Sequence, residues 1–413
     1  MTSSDAEHRS AVAKLEARLR ELPKVSLHDH LDGSLRAATL IELAEQAGHE
    51  LPEREPEMLA ERFRQNADSG SLERYLEAFA HTTAVMQSPG SLRRIAKEYV
   101  EDLAADGVVY AEVRWAPEQH LHQGLSLDEA VEAVQAGLEE GMESVQAVDG
   151  IIVVGQLLSA MRQSDRADEI VELALRHRDR GVIGFDIAGP EAGFPPSRFA
   201  AAFTRLAEQM LPATVHAGEG DGVESVRDAL VSGRAQRLGH GVRVAEDITV
   251  TTGTDSRSKT ADDGGEELVE VELGPVARWV RDRGIHLEVS PTSNLQTGAV
   301  VGLAEVGKAR SMSRVPAESS EDSLGYDAAG NGRTLAEHPF DMLYQLGFNL
   351  GVNTDNRLVS GVTLSHELAQ LAATFDYGLA ELADFQVNAL ESSFLGREER
   401  EALTGVVLEA WNG

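Results

Sequence analysis

Lys24-Val25-Ser26-Leu27-His28-Asp29-His30 reads as a short buried strand whose end carries two histidines and an aspartate. Seven more apolar runs follow along the chain, at 108–116, 151–158, 182–188, 212–217, 237–241, 285–290 and 348–354. Amphipathic segments such as 127–148 and 196–210 lie between most of them. Near-continuous apolar strands alternating with helices imply a parallel sheet covered on both faces. Eight such units in 413 residues favour a closed barrel over an open, doubly wound sheet. The expected fold class is therefore α/β: a single (β/α)8 TIM barrel spanning 1–413, with its core at about 23–400.

Three departures from the simple repeat are expected. The first connection between strands, 34–106, is long and holds helical stretches such as 71–85. In a barrel it lies at the C-terminal face, as extra helices after strand 1 and a candidate lid. Two acidic, polar insertions, 251–272 and 307–335, read as exposed, mobile surface segments.

Composition removes several function classes. The chain carries 37 Lys and Arg against 69 Asp and Glu, a formal net charge of −32. Such a surface repels phosphate backbones and anionic membranes, so neither nucleic acid nor membrane is an expected partner. There is no cysteine, which excludes disulfides and cysteine-ligated zinc. The charged N-terminus has no apolar signal region, and no run of about 18 apolar residues occurs, so a cytoplasmic protein is expected. Aromatics make up 5% of the chain, which points to an aliphatic, Ala-rich core.

The polar residues fall at strand ends: His28 and His30, His216, His240 and Asp355. In a barrel those ends meet at one mouth. His28 and His30, two apart on a strand, face the same side and can grip one ion. By the same alternation Asp29 points away. Glu219 follows His216 past Gly218, placed to move the proton of a nearby water. His240, flanked by glycines, suits a ligand, a base or an orienter of water. Three histidines and an aspartate form a nitrogen and oxygen set suited to zinc, with a position left for water. The fourth strand carries no Lys to bridge two metals, which favours one ion.

These motifs resemble the adenosine deaminase family. The carriers are SLHDHLDGS (26–34), VYAEVRWAP (109–117), LLSAMR (157–162), GFDIAGPE (184–191), VHAGE (215–219), RLGHG (237–241), LEVSPTSNLQTGA (287–299) and VNTDN (352–356). The resemblance implies one Zn2+ per chain held by His28, His30, His216 and Asp355. It implies that Glu219 protonates purine N1 and that His240 orients or deprotonates the water on the metal. Of the substrate-binding residues, His30 and Asp32 lie at the first strand, where Asp32 would hold the ribose 5′-hydroxyl. The backbone N–H of Gly189 would meet N3, and Asn356 would address N7. Many relatives carry Asp at the position of Asn356. The Asn amide donates to N7 at any pH, so the contact is expected to survive.

The implied reaction is deamination of adenosine and 2′-deoxyadenosine to the inosine nucleosides and ammonia, in purine salvage. Its small-molecule partner is a purine nucleoside. Three rivals stand beside it: a deaminase of adenine or another 6-amino purine, an amide or ester hydrolase on a related metal barrel, and a silent barrel that only binds. Glu219, placed for a ring nitrogen, argues against the second, and the intact set of Glu219, His240 and ligands against the third. Arg114 and Arg162 read as buried ion-pair residues. His81, His120, His122, His286, His338 and His366 read as surface or capping histidines.

Overall fold

The computed structural model describes residues 3–252, 269–300 and 334–412. Strands β1 (Lys24–His30), β2 (Val108–Trp115), β3 (Val153–Met161) and β4 (Val182–Ala188) form one parallel sheet in that order. After β5 (Thr214–Ala217) and β6 (Arg237–His240) the chain makes an antiparallel ribbon of β7 (Ile248–Thr252) and β8 (Val269–Leu273). It then enters β9 (His286–Val289) and β10 (Leu350–Val352), and the second parallel sheet runs β10-β9-β6-β5. A single parallel bridge joins the two sheets at each seam, Phe185 with Ala213 and Asp29 with Asp355. The eight parallel strands form the (β/α)8 barrel that the pattern implies.

The last barrel strand is shorter than the 348–354 run suggests. Asn353 explains why. Its side-chain Oδ1 accepts the backbone N–H of Leu27 (2.8 Å) and of His28 (3.0 Å), taking the place of a ladder carbonyl. Asp355 then closes the seam through its backbone: it accepts from His30 N (2.7 Å) and donates to His28 O (3.0 Å).

The first acidic insertion needs correcting at its ends. Thr251, Thr252 and 269–272 belong to the ribbon, where alternating Thr, Val and Glu pair across two strands. The intervening 253–268 and most of the second insertion, 301–333, lie outside the described residues.

Helices cover the barrel through one apolar face each. Leu127–Gln146 starts at a capping box, in which Ser126 Oγ accepts Glu129 N and Glu129 returns a carboxylate to Ser126 N. It buries Val131, Val134 and Leu138, spaced three or four apart. The long first connection forms Ala37–Ala47, Pro56–Ala67, Phe79–Val85 and Pro89–Ala105, as the helical pattern there implies. Its 68–75 stretch lies across the mouth: Gly70 N donates to Gln296 O and Tyr75 Oη meets Ser360 Oγ at 2.7 Å.

The outer core is aliphatic, but the barrel interior is charged. Glu112, Arg114, Asp186, Arg237 and Glu288 are all at most 1% exposed. Arg237 bonds Glu112 and, at 2.7 Å, Glu288 Oε1, with its guanidinium 3.7 Å over the Phe394 ring. Removing one member of such a network strands a buried charge, which costs about 3–5 kcal/mol.

Candidate metal centre and active site

Four ligand atoms, one each from His28, His30, His216 and Asp355, lie within 4.8 Å of one another. All four side chains are buried or nearly so. His30 Nε2 and His216 Nε2 face each other at 3.2 Å, and Asp355 Oδ1 stands 3.4 Å from both His28 Nε2 and His30 Nε2. Glycine makes room for the rings. A Cβ on Gly239 would sit 3.1 Å from His28 Cε1 and 3.0 Å from His216 Cα.

The far sides of two rings face carboxylates. His28 Nδ1 lies 3.0 Å from Glu288 Oε2, and His216 Nδ1 lies 2.7 Å from Asp186 Oδ2. A carboxylate at Nδ1 keeps the proton there and turns the Nε2 lone pair inward. His28 Nε2 is buried with no hydrogen-bond partner. Lone pairs aimed at one point, with a carboxylate beside them, fit a divalent cation such as zinc. Arg114 ties the two carboxylates together, reaching Glu288 Oε2 at 2.6 Å and Asp186 Oδ2 at 3.2 Å. Burial alone would raise the Glu288 pKa, but Arg114 and Arg237 hold it well below the usual carboxylate range. Asp355 completes the set by accepting Ser293 Oγ at 2.5 Å.

His240 and Asp355 both hold left-handed backbone, φ 60° each. For residues with a Cβ this costs about 1–3 kcal/mol apiece, and such strain concentrates at functional sites. His240 Nε2 lies 3.4 Å from Glu219 Oε2, and one atom each of Glu219, His240 and Asp355 falls within 4.8 Å. Burial raises the Glu219 pKa well above its ordinary value, and the charges of Asp355 and Glu191 push the same way. The arrangement offers an ion site, a carboxyl inclined to hold its proton, and an imidazole beside both.

Asp32 is 5% exposed, its Oδ1 has no hydrogen-bond partner, and burial pushes its pKa up to about 7. It stands 3.9 Å from His30 Nδ1. Asn356 packs on Gly33, where a Cβ would fall 1.8 Å from Asn356 Oδ1. Gly189 follows β4 directly at the same end of the barrel, with Gln163 and Met161 as its nearest side chains. Asp29 points away from the cluster, accepting from Ser34 Oγ at 2.5 Å and forming an ion pair with Arg357 at 2.8 Å. Arg114 forms the ion pairs expected of it. Arg162 does not: it bonds the carbonyls of Phe194 and His216, because its strand end meets backbone rather than a carboxylate.

Sequence reasoning gave five residues no part in the site, reading Asn294 as a strand-end turn residue and His338 as a surface or capping histidine. Asp186 and Glu288 stand behind the candidate ligands His216 and His28; each is a lone carboxylate inside an apolar strand, and that was the available signal. Glu191 receives the backbone N–H groups of Gly218, Glu219, Gly220 and Asp221 at 2.7–3.1 Å, together with Ser225 Oγ. It thereby fixes the loop that carries Glu219. Asn294 and His338 stand behind His240. His338, His120 and His286 are buried, not surface residues, and each is hydrogen-bonded inside the fold.

Glu191→Ala leaves four loop N–H groups without their acceptor. The expected loss of stability is about 3 kcal/mol, with faster amide exchange confined first to 218–221. Denaturant titration and hydrogen exchange measure both; unchanged exchange there would show that the loop holds itself.

A family model described as Adenosine deaminase matches residues 23–314 and 328–410. A protein named Adenosine deaminase from Mycolicibacterium vanbaalenii is 45% identical over 392 residues, covering 95% of each chain. Among solved structures, an adenine deaminase from Arthrobacter aurescens superposes with a TM-score of 0.72 at 24% identity, covering 95% of this chain and all of that one. An amidohydrolase with bound Zn, at 23% identity and a TM-score of 0.72, covers 96% of this chain and 92% of that one; both structures share the fold.

Proposed function

This chain belongs to the adenosine deaminase family, and from that we propose that it hydrolyses the 6-amino group of adenosine and 2′-deoxyadenosine, using one zinc ion held by His28, His30, His216 and Asp355. The observation that carries the reading is the meeting of three inward-facing imidazoles and Asp355 beside Glu219 and His240. Bound there, zinc would supply the Lewis acidity that brings the attacking water into reach of deprotonation near neutral pH.

The chain's own residues do the rest. Water adds to C6, an aromatic carbon that resists attack until N1 takes a proton. Glu219, kept protonated by burial, delivers that proton to N1. His240 holds the attacking water in line. The tetrahedral centre at C6 then expels ammonia and leaves inosine. Asp32 takes the ribose 5′-hydroxyl, the Gly189 N–H meets N3, and the Asn356 amide donates to N7. The 68–75 stretch over the mouth excludes water from the seated purine.

No described helix is long and apolar enough to cross a membrane. We assign the enzyme to the cytoplasm, where a chain without cysteine needs no oxidising environment.

Absorbance assays of the purified protein against adenosine, deoxyadenosine, adenine and other 6-amino purines test the reading. Nucleosides are expected to be preferred, and a preference for free adenine would overturn it. Asp32→Ala is expected to lower kcat/KM for adenosine by about 10–100-fold, the loss of a hydrogen bond to a charged group, and to spare adenine. Equal losses on both would remove Asp32 from the ribose.

A further inference from the structure

A neutral histidine carries one ring proton, and the choice of nitrogen decides whether His240 accepts a proton from water or donates a hydrogen bond to it. The hydrogen bonds behind the ring make that choice. Phe340 N, a backbone group that can only donate, gives its hydrogen to His338 Nδ1 at 3.1 Å. His338 must then carry its proton on Nε2, which faces Asn294 Oδ1 at 3.3 Å. The Asn294 amide is thus fixed with its oxygen toward His338 and its Nδ2 toward His240 Nδ1, at 3.0 Å. An amide N–H facing Nδ1 requires a lone pair there. The proton of neutral His240 is left on Nε2, on the side of Glu219 and the ligand cluster.

We propose that Asn294 and His338 are positioning residues that hold His240 as an Nε2–H donor to the attacking oxygen, so that His240 is not the base. The inference rests on the deaminase reading above. It assigns the water's proton to Glu219: the carboxyl gives its own proton to N1 and, now a carboxylate, takes one back from the water as the oxygen bonds to C6. The O–C6 bond forms, N1 gains the proton, and Glu219 ends as it began. His240 lends and recovers its hydrogen bond without changing its proton count.

The chain cannot simply reverse. Turning the Asn294 amide would set its Nδ2 against the His338 N–H and its oxygen against His240 Nδ1. Turning His338 as well is blocked by Phe340 N, which no rotation converts into an acceptor. His338 is 3% exposed, and burial lowers its pKa to about 3, so it stays neutral throughout the working range. Its place in the sequence hid this role, because it acts through Asn294 and touches neither ion site nor substrate pocket.

Zinc-loaded enzyme labelled with 15N-histidine gives the direct test. Two-bond proton–nitrogen correlations of His240, identified by their loss in His240→Gln, are expected to show a bare Nδ1 and a protonated Nε2. A protonated Nδ1 in the unmodified protein would overturn the inference, and this measurement needs no folded variant at Asn294. Asn294→Asp presents a carboxylate that only accepts, and is expected to move the proton to Nδ1. Its kcat should fall by about 10²–10⁴-fold, the range for losing an oxyanion donor or installing the wrong tautomer. KM and zinc content should change little. His338→Phe keeps the bulk and frees the amide to turn, with a smaller loss of the same kind. A folded, zinc-replete Asn294→Asp enzyme with undiminished kcat would also overturn the inference. Failure of the deaminase reading shows separately, as an unmodified enzyme inert toward adenosine.

Discussion

Glu219→Gln lowers turnover on adenosine by about 10²–10⁴-fold, the usual contribution of one positioned acid or base, while zinc content stays near one per chain. The amide keeps the shape of the side chain and removes only the transferable proton. Glu219 is no member of the ligand set, and its loop is held by Glu191 through backbone groups that the substitution leaves alone. The effect should therefore appear in kcat with little change in metal content. The pH profile sharpens the test. Burial raises the Glu219 pKa, so its proton is lost only as pH climbs through that raised value. Turnover of the unmodified enzyme should decline on the alkaline side, and the Gln variant should lack that limb. A Gln variant with turnover near normal would remove Glu219 from the proton path.

Removing the metal has the second large effect. Dialysis against a chelator is expected to abolish measurable deamination, and added zinc to restore it. Without the ion, water keeps a pKa near its ordinary value of about 15.7, and no residue in the cluster is basic enough to compensate. A thermal shift accompanies the loss. An ion bound only by the folded chain stabilises it in proportion to the logarithm of its excess over Kd, so the metal-free protein should melt lower. Retained turnover in protein shown by elemental analysis to be metal-free would refute the mechanism.

The candidate ligands could be read from the sequence because each lies at or just past a strand end, and barrel topology brings strand ends to one place. The strand ends alone left His240 open as a ligand; the family resemblance singled out His28, His30, His216 and Asp355. Their supports did not yield to the same reasoning. Asp186 and Glu288 act across strands, and the sequence says nothing of which neighbour lies opposite. Glu191 acts on a loop 27 residues onward, through backbone amides that any sequence would supply. His338 was grouped with surface histidines because its burial depends on the whole barrel. The shortness of β10 escaped as well, since a side chain, Asn353, does the work expected of a ladder. Periodicity reports which residues are buried, but hydrogen-bond partners are set by register.

The two seams bear on how the protein matures. His28 and His30 come from the half-barrel β1 to β4, whereas His216 and Asp355 come from the half containing β5, β6, β9 and β10. Each half alone offers two ligands, too few for a tetrahedral zinc site. An ion held as proposed would join the two halves, so its binding would report on whether they have come together. A chain with a faulty seam would be recognised in the cell as a zinc-poor protein, rather than as a slow enzyme with a full complement of metal.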